Sequence, residues 1–219
     1  LNPSSSTDNS IIIPGGPTLS YAKYAEEIER VAGLLAGAGV KPGRPVSIVL
    51  VNNLEFMVLF LAVARAGAVA APLNSAYTVD EFKFFMEDAD SQLTIVPPGA
   101  HLGREAATQL GIPVIDASIN SGSVVLSNGS GTLTKSADAQ PPSASDIALF
   151  LHTSGTTSRP KGVPLTHANL MKSISNIKSH YELTPDDTSI IVMPLFHVHG
   201  LMGASLSTLN SGGSLVIPE

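Results

Sequence analysis

The residues best suited to chemistry form a hydroxyl-rich segment between Thr153 and Gly162, which we call the phosphate loop. Hydroxyl groups, backbone N–H groups beside glycines and one ammonium group are the donors that a polyphosphate needs. The alternative is a solvated turn between a strand and a helix, but such turns seldom place so many donors after an apolar run. The segment therefore predicts phosphate binding by Thr153, Ser154, Gly155, Thr156, Thr157 and Lys161.

The elements on either side must position this loop. The apolar run Ile147–Leu151 before it is typical of a strand buried on both faces, so the loop is expected to leave the end of a sheet where ligands bind. After the loop, Thr166 is suited to be the N-cap of a helix that runs from His167 to about Tyr181. We therefore expect a strand, a phosphate loop and a helix in that order.

A second candidate is the segment Met193–Gly200, which follows the strand-like run Ser189–Val192. A lone histidine after a strand is more often a packed or exposed residue than a functional one. The proline, phenylalanine and glycine around His197, at this distance from the phosphate loop, favour a functional role for it. For His199, a functional and a purely structural role stay equally open.

Composition restricts the class of protein. The chain has 219 residues, of which 43% are hydrophobic and 14% are charged. A chain of this length and hydrophobic content can bury a substantial core. The net charge of −6 argues against broad binding to nucleic acid or to an anionic membrane surface. Because the chain has no cysteine, a disulfide framework, a thiolate nucleophile and a cysteine-based zinc site are all excluded.

The longest apolar stretch, Met57–Ala71, contains Arg65 and Gly67 and is too short to span a bilayer, so we expect no membrane span. No secretory leader is visible either. We therefore expect an intracellular protein. Cytoplasmic and peroxisomal locations both stay open, since a peroxisomal address of the Ser-Lys-Leu type lies at an extreme C-terminus.

Helix-like and strand-like segments alternate along the chain, which predicts an α/β fold with mostly parallel sheets flanked by helices. Helices are predicted at Tyr21–Ala36, Leu54–Ala66, Val79–Asp88 and Arg104–Leu110, and strands at Ile11–Ile13, Val46–Val51, Ala68–Ala71, Leu93–Val96, Val114–Ile115 and Ser214–Ile217. Residues 120–145 are rich in Ser, Gly, Ala and Pro, apart from a small hairpin strand expected around Val124–Leu126. We predict a first α/β subdomain at 1–119, a connector at 120–145 and a second, incomplete subdomain at 146–219 with the phosphate loop.

The phosphate loop is not the common P-loop, because that loop needs a glycine before its lysine and a Ser or Thr after it. Here Pro160 precedes Lys161 and Gly162 follows it. The loop instead resembles the phosphate-binding motif of the adenylate-forming enzymes, which include the acyl-CoA synthetases. Their usual glycine is replaced here by Ser158, as is expected in the oxalate-CoA ligases of plants and fungi. The segments Leu149–Thr166, Phe196–Gly200 and Ala71–Thr78 also resemble that group, so the similarity extends over most of the chain.

This resemblance implies an AMP-forming acyl-CoA ligase with the fold of the large N-terminal domain of that family. It implies ATP, Mg²⁺ and coenzyme A as cofactors and a small carboxylate, oxalate in the first place, as substrate. Thr153, Ser154, Gly155, Thr156, Thr157 and Lys161 would hold the β- and γ-phosphates, with a threonine hydroxyl near the magnesium ion. His197 would line the carboxylate pocket, and His199 is the candidate for a second donor to a dicarboxylate.

Two alternatives stay open. The chain could belong to another acyl- or aryl-CoA synthetase, similar to 4-coumarate-CoA ligase, or to a truncated nucleotide-binding module without catalysis. Enzymes of the resembled family are more than twice this length, and their adenine-binding segment, ribose-binding aspartate and C-terminal lysine have no counterpart here. We therefore expect residues 1–219 to be the N-terminal part of a ligase and to be inactive alone.

Overall fold

A computed structural model describes residues 7–153 and 160–218. The elements up to residue 120 are β1 (Asn9–Ile12), β2 (Thr18–Ser20), α1 (Tyr21–Gly37), β3 (Pro45–Ile48), α2 (Leu54–Arg65), β4 (Val69–Pro72), α3 (Val79–Asp88), β5 (Leu93–Val96), α4 (Leu102–Gln109) and β6 (Val114–Asn120). They are followed by β7 (Ser123–Asn128), β8 (Gly131–Thr132), β9 (Ile147–Thr153), β10 (Lys161–Thr166), α5 (His167–His180), β11 (Thr188–Ile190), a π-helix (His199–Leu206), α6 (Ser207–Ser211) and β12 (Ser214–Val216).

The strands form two sheets, and parallel pairs make up the centre of the larger one. Its order is β10-β9-β4-β3-β5-β6-β7-β8, with parallel pairing from β9 to β6 and antiparallel pairs at both edges. The smaller sheet has the order β11-β12-β1-β2 and is parallel except for the pair β1–β2. The predicted α/β class with mostly parallel sheets is confirmed. Each sheet takes strands from both sides of residues 120–145, and the division into two subdomains stays a prediction.

Helices cover both faces of the larger sheet. On one face, α3 and α4 enclose a small core around Phe82 and Met86. On the other face, α1 and α2 belong to a large core that continues to the smaller sheet, and Tyr24 and Phe56 are fully buried in it. Within the described ranges, every helix is too short or too polar to cross a bilayer. The two cores hold the carboxyl ends of the parallel strands in fixed positions.

Local sequence explains why α5 begins where it does. The hydroxyl of Thr166 accepts a hydrogen bond from the backbone N–H of Asn169 at 3.1 Å, and the Asn169 side chain accepts one from the N–H of Thr166 at 3.1 Å. This reciprocal pair satisfies two N–H groups that the first turn of a helix leaves without partners. The predicted N-cap is confirmed.

The predicted order of strand, loop and helix is incomplete, because strand β10 lies between the phosphate loop and α5. It pairs antiparallel with β9, with Lys161 opposite Thr153 and Pro164 opposite Phe150. Lysine, glycine and proline are poor strand formers, so the sequence gives little sign of β10. Proline is tolerated here because β10 is the edge strand of the sheet.

The position of β9 beside this edge also corrects its predicted burial on both faces. Ala148 and Leu149 are fully buried, whereas Ile147 is 39% exposed and the side chains of Phe150 and Leu151 are half-buried. The connector region differs in a smaller way, since the expected hairpin strand is present as β7 and pairs with an extended β6. The π-helix and α6 were not predicted.

Candidate functional site

The phosphate loop connects the antiparallel strands β9 and β10. Strand β9 enters it at Thr153 and β10 leaves it at Lys161, and these two residues are Cα partners in the pair. The Thr153 hydroxyl lies 3.5 Å from the carbonyl oxygen of Lys161, whose side chain is exposed. The structure therefore places the first and the last predicted phosphate ligands opposite each other. The remaining ones, Ser154, Gly155, Thr156 and Thr157, lie outside the described residues.

Gly162 packs closely against strand β9 beside the loop. Gly162 pairs with His152, and a Cβ atom at Gly162 would overlap the ring of Phe150. The same ring meets the imidazole of His152 edge-on, with centroids 5.1 Å apart. The ring of Phe150 thus lies directly over Gly162 of β10, where the loop ends.

A cleft of about 470 Å³ opens at the carboxyl ends of β4 and β9. Thr153 and His197 both line it, so the structure brings together one residue from each predicted segment. Lys161 and His199 are exposed and are not among the residues that line the cleft. Ligands of open α/β sheets bind outside the carboxyl ends of parallel strands, which is where this cleft lies. The wall also contains Pro72, Leu73, Asn74, Tyr77, Phe85, Leu151, His152, Pro160, Val163, Leu165, Phe196 and Val198.

Backbone hydrogen bonds fix His197 within residues 193–200, which we call the histidine turn. The N–H of His197 donates to the carbonyl of Pro194 at 3.1 Å, and its own carbonyl accepts from the N–H of Leu201 at 3.0 Å. A Cβ atom at Gly200 would overlap the carbonyl groups of Met193 and Pro194, so a glycine is required there. The turn therefore presents His197 on a closely packed backbone.

One further hydrogen bond determines which nitrogen of His197 carries the proton. The backbone N–H of His199 donates to Nδ1 of His197 at 3.2 Å. A ring nitrogen that accepts a hydrogen bond carries no proton, so the neutral ring holds its proton on Nε2. In the neutral ring the donor of His197 is therefore Nε2–H, and the backbone N–H of His199 supports the imidazole.

Two other cleft residues were missed by sequence reasoning. The Nε2 atom of His152 lies 3.0 Å from Oδ2 of Asp88, and its ring lies edge-on to Phe85 with centroids 4.7 Å apart. Tyr77 stacks on the same phenylalanine at 4.7 Å. Burial raises the pKa of Tyr77 and the carboxylate of Glu81 adds to the rise, so its hydroxyl stays protonated at neutral pH. The available signal for His152 was its polar type at the end of an apolar strand.

The cleft is suited to bind an anionic group that is attached to, or lies beside, an apolar group. Thr153, Tyr77 and His197 supply hydroxyl and N–H groups, while leucine, valine and phenylalanine side chains supply the rest of the wall. Among residues 7–153 and 160–218, no group of three or more His, Asp or Glu side chains could hold a metal ion.

Comparison with known proteins gives consistent results. The chain is 47% identical over 211 residues to an oxalate–CoA ligase of Arabidopsis thaliana, which covers 94% of this chain and 41% of the relative. It is 44% identical over 214 residues to a probable CoA ligase of Humulus lupulus, with 95% of this chain and 41% of the relative covered. The chain thus spans about two fifths of the length of both relatives.

The fold is also similar to a solved structure. The crystal structure of ATP-bound MatB from Rhodopseudomonas palustris matches with a TM-score of 0.84 and 33% identity, covering 98% of this chain and 43% of that one. A family model described as AMP-binding enzyme matches residues 4–219, which include the phosphate loop and the histidine turn. On this match and on the similar fold, the chain belongs to the family of AMP-binding enzymes.

Proposed function

We propose that this chain is the N-terminal part of an ATP-dependent acid–thiol ligase, which activates a carboxylate as an acyl-adenylate and transfers the acyl group to coenzyme A. The observation that carries the proposal is the meeting of Thr153 and His197 in one cleft. A phosphate loop and a donor for a carboxylate are the two groups that such a reaction must bring together. The relatives named as CoA ligases support the same reaction class.

The chemistry follows from the properties of a carboxylate. It is a poor electrophile, because its charge is delocalised and its leaving group would be oxide. In the proposed reaction a carboxylate oxygen attacks the α-phosphorus of ATP, and the bond to pyrophosphate breaks. The sulfur of coenzyme A then attacks the acyl carbon, the thiol proton is lost, and AMP leaves. The protein contributes charge neutralisation and alignment rather than a covalent intermediate.

The phosphate loop is assigned to the β- and γ-phosphates of ATP, which enters as its magnesium complex. Thr153 begins the loop at the cleft wall, and the exposed ammonium group of Lys161 is free to reach a phosphate at its other end. In the proposal, Ser154, Gly155, Thr156 and Thr157 supply the remaining donors, and a threonine hydroxyl approaches the magnesium ion. Positive charge near the departing pyrophosphate stabilises the transition state.

His197 is assigned to the carboxylate. With its proton on Nε2, the ring donates a hydrogen bond to the acid and holds one oxygen toward the α-phosphorus. His199 is the proposed second donor for a dicarboxylate. Its exposed side chain must turn toward the cleft for this role, so we assign it a smaller contribution than His197.

Oxalate is the proposed acid. The 47% identity to the oxalate–CoA ligase of Arabidopsis thaliana supports this choice, as does Ser158 in place of the usual glycine of the loop. A second candidate is a larger aryl or alkyl acid, which the apolar side chains of Leu73, Phe85 and Phe196 in the cleft favour. The two candidates differ in whether the apolar wall contacts the acyl group.

The test uses the longest natural protein that contains this chain. ATP–pyrophosphate exchange and CoA-thioester formation are measured with oxalate, malonate, a long-chain aliphatic acid and 4-coumarate. We expect oxalate to give the highest kcat/KM, whereas a preference for an apolar acid would support the second candidate. ATP binding without exchange for any acid would overturn the ligase proposal in favour of a nucleotide-binding module. Residues 1–219 alone are expected to form no acyl-CoA.

A further inference from the structure

Asn52 connects two parts of the chain that are far apart in sequence. It follows β3, and its side-chain amide makes two hydrogen bonds to the backbone of the histidine turn. Its Nδ2 donates to the carbonyl of Met193 at 2.9 Å, and its Oδ1 accepts from the N–H of Leu195 at 2.8 Å. One planar amide therefore binds two backbone groups, much as a neighbouring strand would.

These bonds secure the backbone directly before His197. Between the two groups that Asn52 binds, the carbonyl of Pro194 accepts from the N–H of His197 at 3.1 Å. Leu195 is fully buried and anchors the turn in the core. A shift of the chain at positions 193–195 would therefore be transmitted to the imidazole through one hydrogen bond and two peptide units.

The side chains just before Pro194 contribute little packing to this segment in the described chain. Val192 is 75% exposed and Met193 is 41% exposed, so their side chains bury little apolar surface. Where apolar burial is small, directed hydrogen bonds account for more of the local order. The side-chain amide of Asn52 provides such hydrogen bonds at positions 193 and 195 of the turn.

The neighbouring Asn53 offers a matched comparison. Its Oδ1 accepts from the N–H of Phe56 at 2.8 Å and caps the start of α2. Replacing a capping asparagine by alanine costs about 1 kcal/mol of stability. Of these two adjacent asparagines, Asn53 thus caps a helix, whereas Asn52 forms hydrogen bonds to the histidine turn.

We propose that Asn52 is a positioning residue for His197: it holds positions 193–195 so that the imidazole keeps its place at the cleft. The proposal rests on the assignment of His197 to the carboxylate substrate. It predicts that loss of the amide weakens binding of the acid and leaves binding of ATP largely unchanged, since the phosphate loop is held by β9 and β10.

The first test compares Asn52→Ala with Asn53→Ala in the longest natural protein that contains this chain. We expect Asn52→Ala to raise KM for the acid about tenfold, as the loss of two hydrogen bonds implies, with KM for ATP within about twofold. Asn53→Ala is expected to lower the Tm and to leave KM for the acid unchanged. Asn52→Leu keeps most of the volume without the bonds and provides the same comparison where the alanine variant does not fold.

A double-mutant cycle with His197→Ala shows whether the effect acts through the histidine. We expect Asn52→Ala to add no further increase in KM for the acid once His197 is removed. An equal increase in both backgrounds, equal increases in KM for acid and ATP, or loss of folding in both Asn52 variants would overturn the proposal. An unmodified enzyme without acid-dependent exchange would instead overturn the proposed function, so the two failures are distinguishable.

Discussion

The phosphate loop and the histidine turn reach the same cleft by different structural means. The loop is bounded by paired strands, and its two described ligands, Thr153 and Lys161, have exposed side chains. The turn has one described donor, His197, which is held by hydrogen bonds from its own backbone, from His199 and, through positions 193–195, from Asn52. Strand pairing thus bounds the loop, whereas several hydrogen bonds fix the turn, and the side chain of His197 is exposed like those of the two described loop ligands.

The difference matches the two kinds of ligand in the proposed function. A triphosphate carries many oxygens and high charge, so several donors can bind it in more than one arrangement. A small carboxylate must be aligned for attack at one phosphorus atom, and an error of about 1 Å costs up to a hundredfold in rate. We infer that substitutions in the loop act through charge and that substitutions in the turn act through geometry.

The largest expected effect is the loss of the ammonium group at the end of the loop. We predict that Lys161→Ala in the longest natural protein lowers the rate of ATP–pyrophosphate exchange about a hundredfold, since a donor to the developing charge is removed. Exchange assays at saturating acid with varied ATP measure this effect. Lys161→Arg is expected to retain more activity than the alanine variant because it keeps the charge.

Lys172, which is exposed on α5, is the matched control for that variant. Lys172→Ala removes the same charge away from the cleft, and we expect exchange to stay within about twofold of the unmodified rate. If Lys161→Ala left exchange unchanged, the assignment of the loop to the phosphates would be wrong.

Two glycine substitutions test whether geometry matters more in the turn than in the loop. In Gly200→Ala the new methyl group meets the carbonyls of Met193 and Pro194, which are backbone and cannot move alone. In Gly162→Ala it meets the ring of Phe150, a side chain that can rotate. We predict a stability loss of about 1–3 kcal/mol for Gly200→Ala, with a raised KM for the acid, and a smaller loss for Gly162→Ala.

Denaturant unfolding of both variants measures these losses, with Gly129→Ala as the control. Nothing lies within 4 Å of a Cβ atom at Gly129, so that variant is expected to change stability by less than about 0.5 kcal/mol. Equal losses for Gly162→Ala and Gly200→Ala would contradict the distinction between a packed turn and an adaptable loop boundary.

Sequence alone predicted those parts of the fold whose signals are local. The helix Val79–Asp88 and the strand Leu93–Val96 were predicted to the residue. In the structure, a capping box at Thr78 fixes the start of that helix. Strand β10 was missed, since its strand pairing with β9 overrides the low propensity of Gly162 and Pro164.

The same limit explains what was predicted of the site. Thr153 and His197 were singled out because their segments carry recognisable patterns, and the structure places both at one cleft. The role of Asn52 has no local signal, because its partners lie 141 and 143 residues further along the chain. Contacts between distant backbone groups depend on the folded arrangement of both sheets, which no short pattern encodes.

The smallest expected effect concerns acid pH and lies outside the cleft. Burial lowers the pKa of His167 from its ordinary value of 6.5, and the carboxylate of Asp146 offsets this only in part. Its Nε2 is buried without a hydrogen-bond partner in the described part of the chain. The unfolded chain therefore binds a proton that the folded chain does not, so the stability contribution is present above pH 6.5 and is lost as pH falls through that value toward the folded pKa.

We predict that the Tm falls as pH is lowered from about 7.5 to 5.5, a range above the ordinary pKa values of carboxylates in model peptides, and that His167→Gln reduces this fall. His101, whose pKa burial also lowers, accounts for part of the remaining slope. His180→Gln makes the same substitution at an exposed position at the other end of α5 and is measured as the control. An unchanged slope in His167→Gln would show that the buried imidazole does not limit stability in acid. A reduced slope would show that acid destabilises the fold near α5, the helix that follows the phosphate loop and β10. That loss of folding would then be distinguished from any loss of activity in acid at the histidine turn.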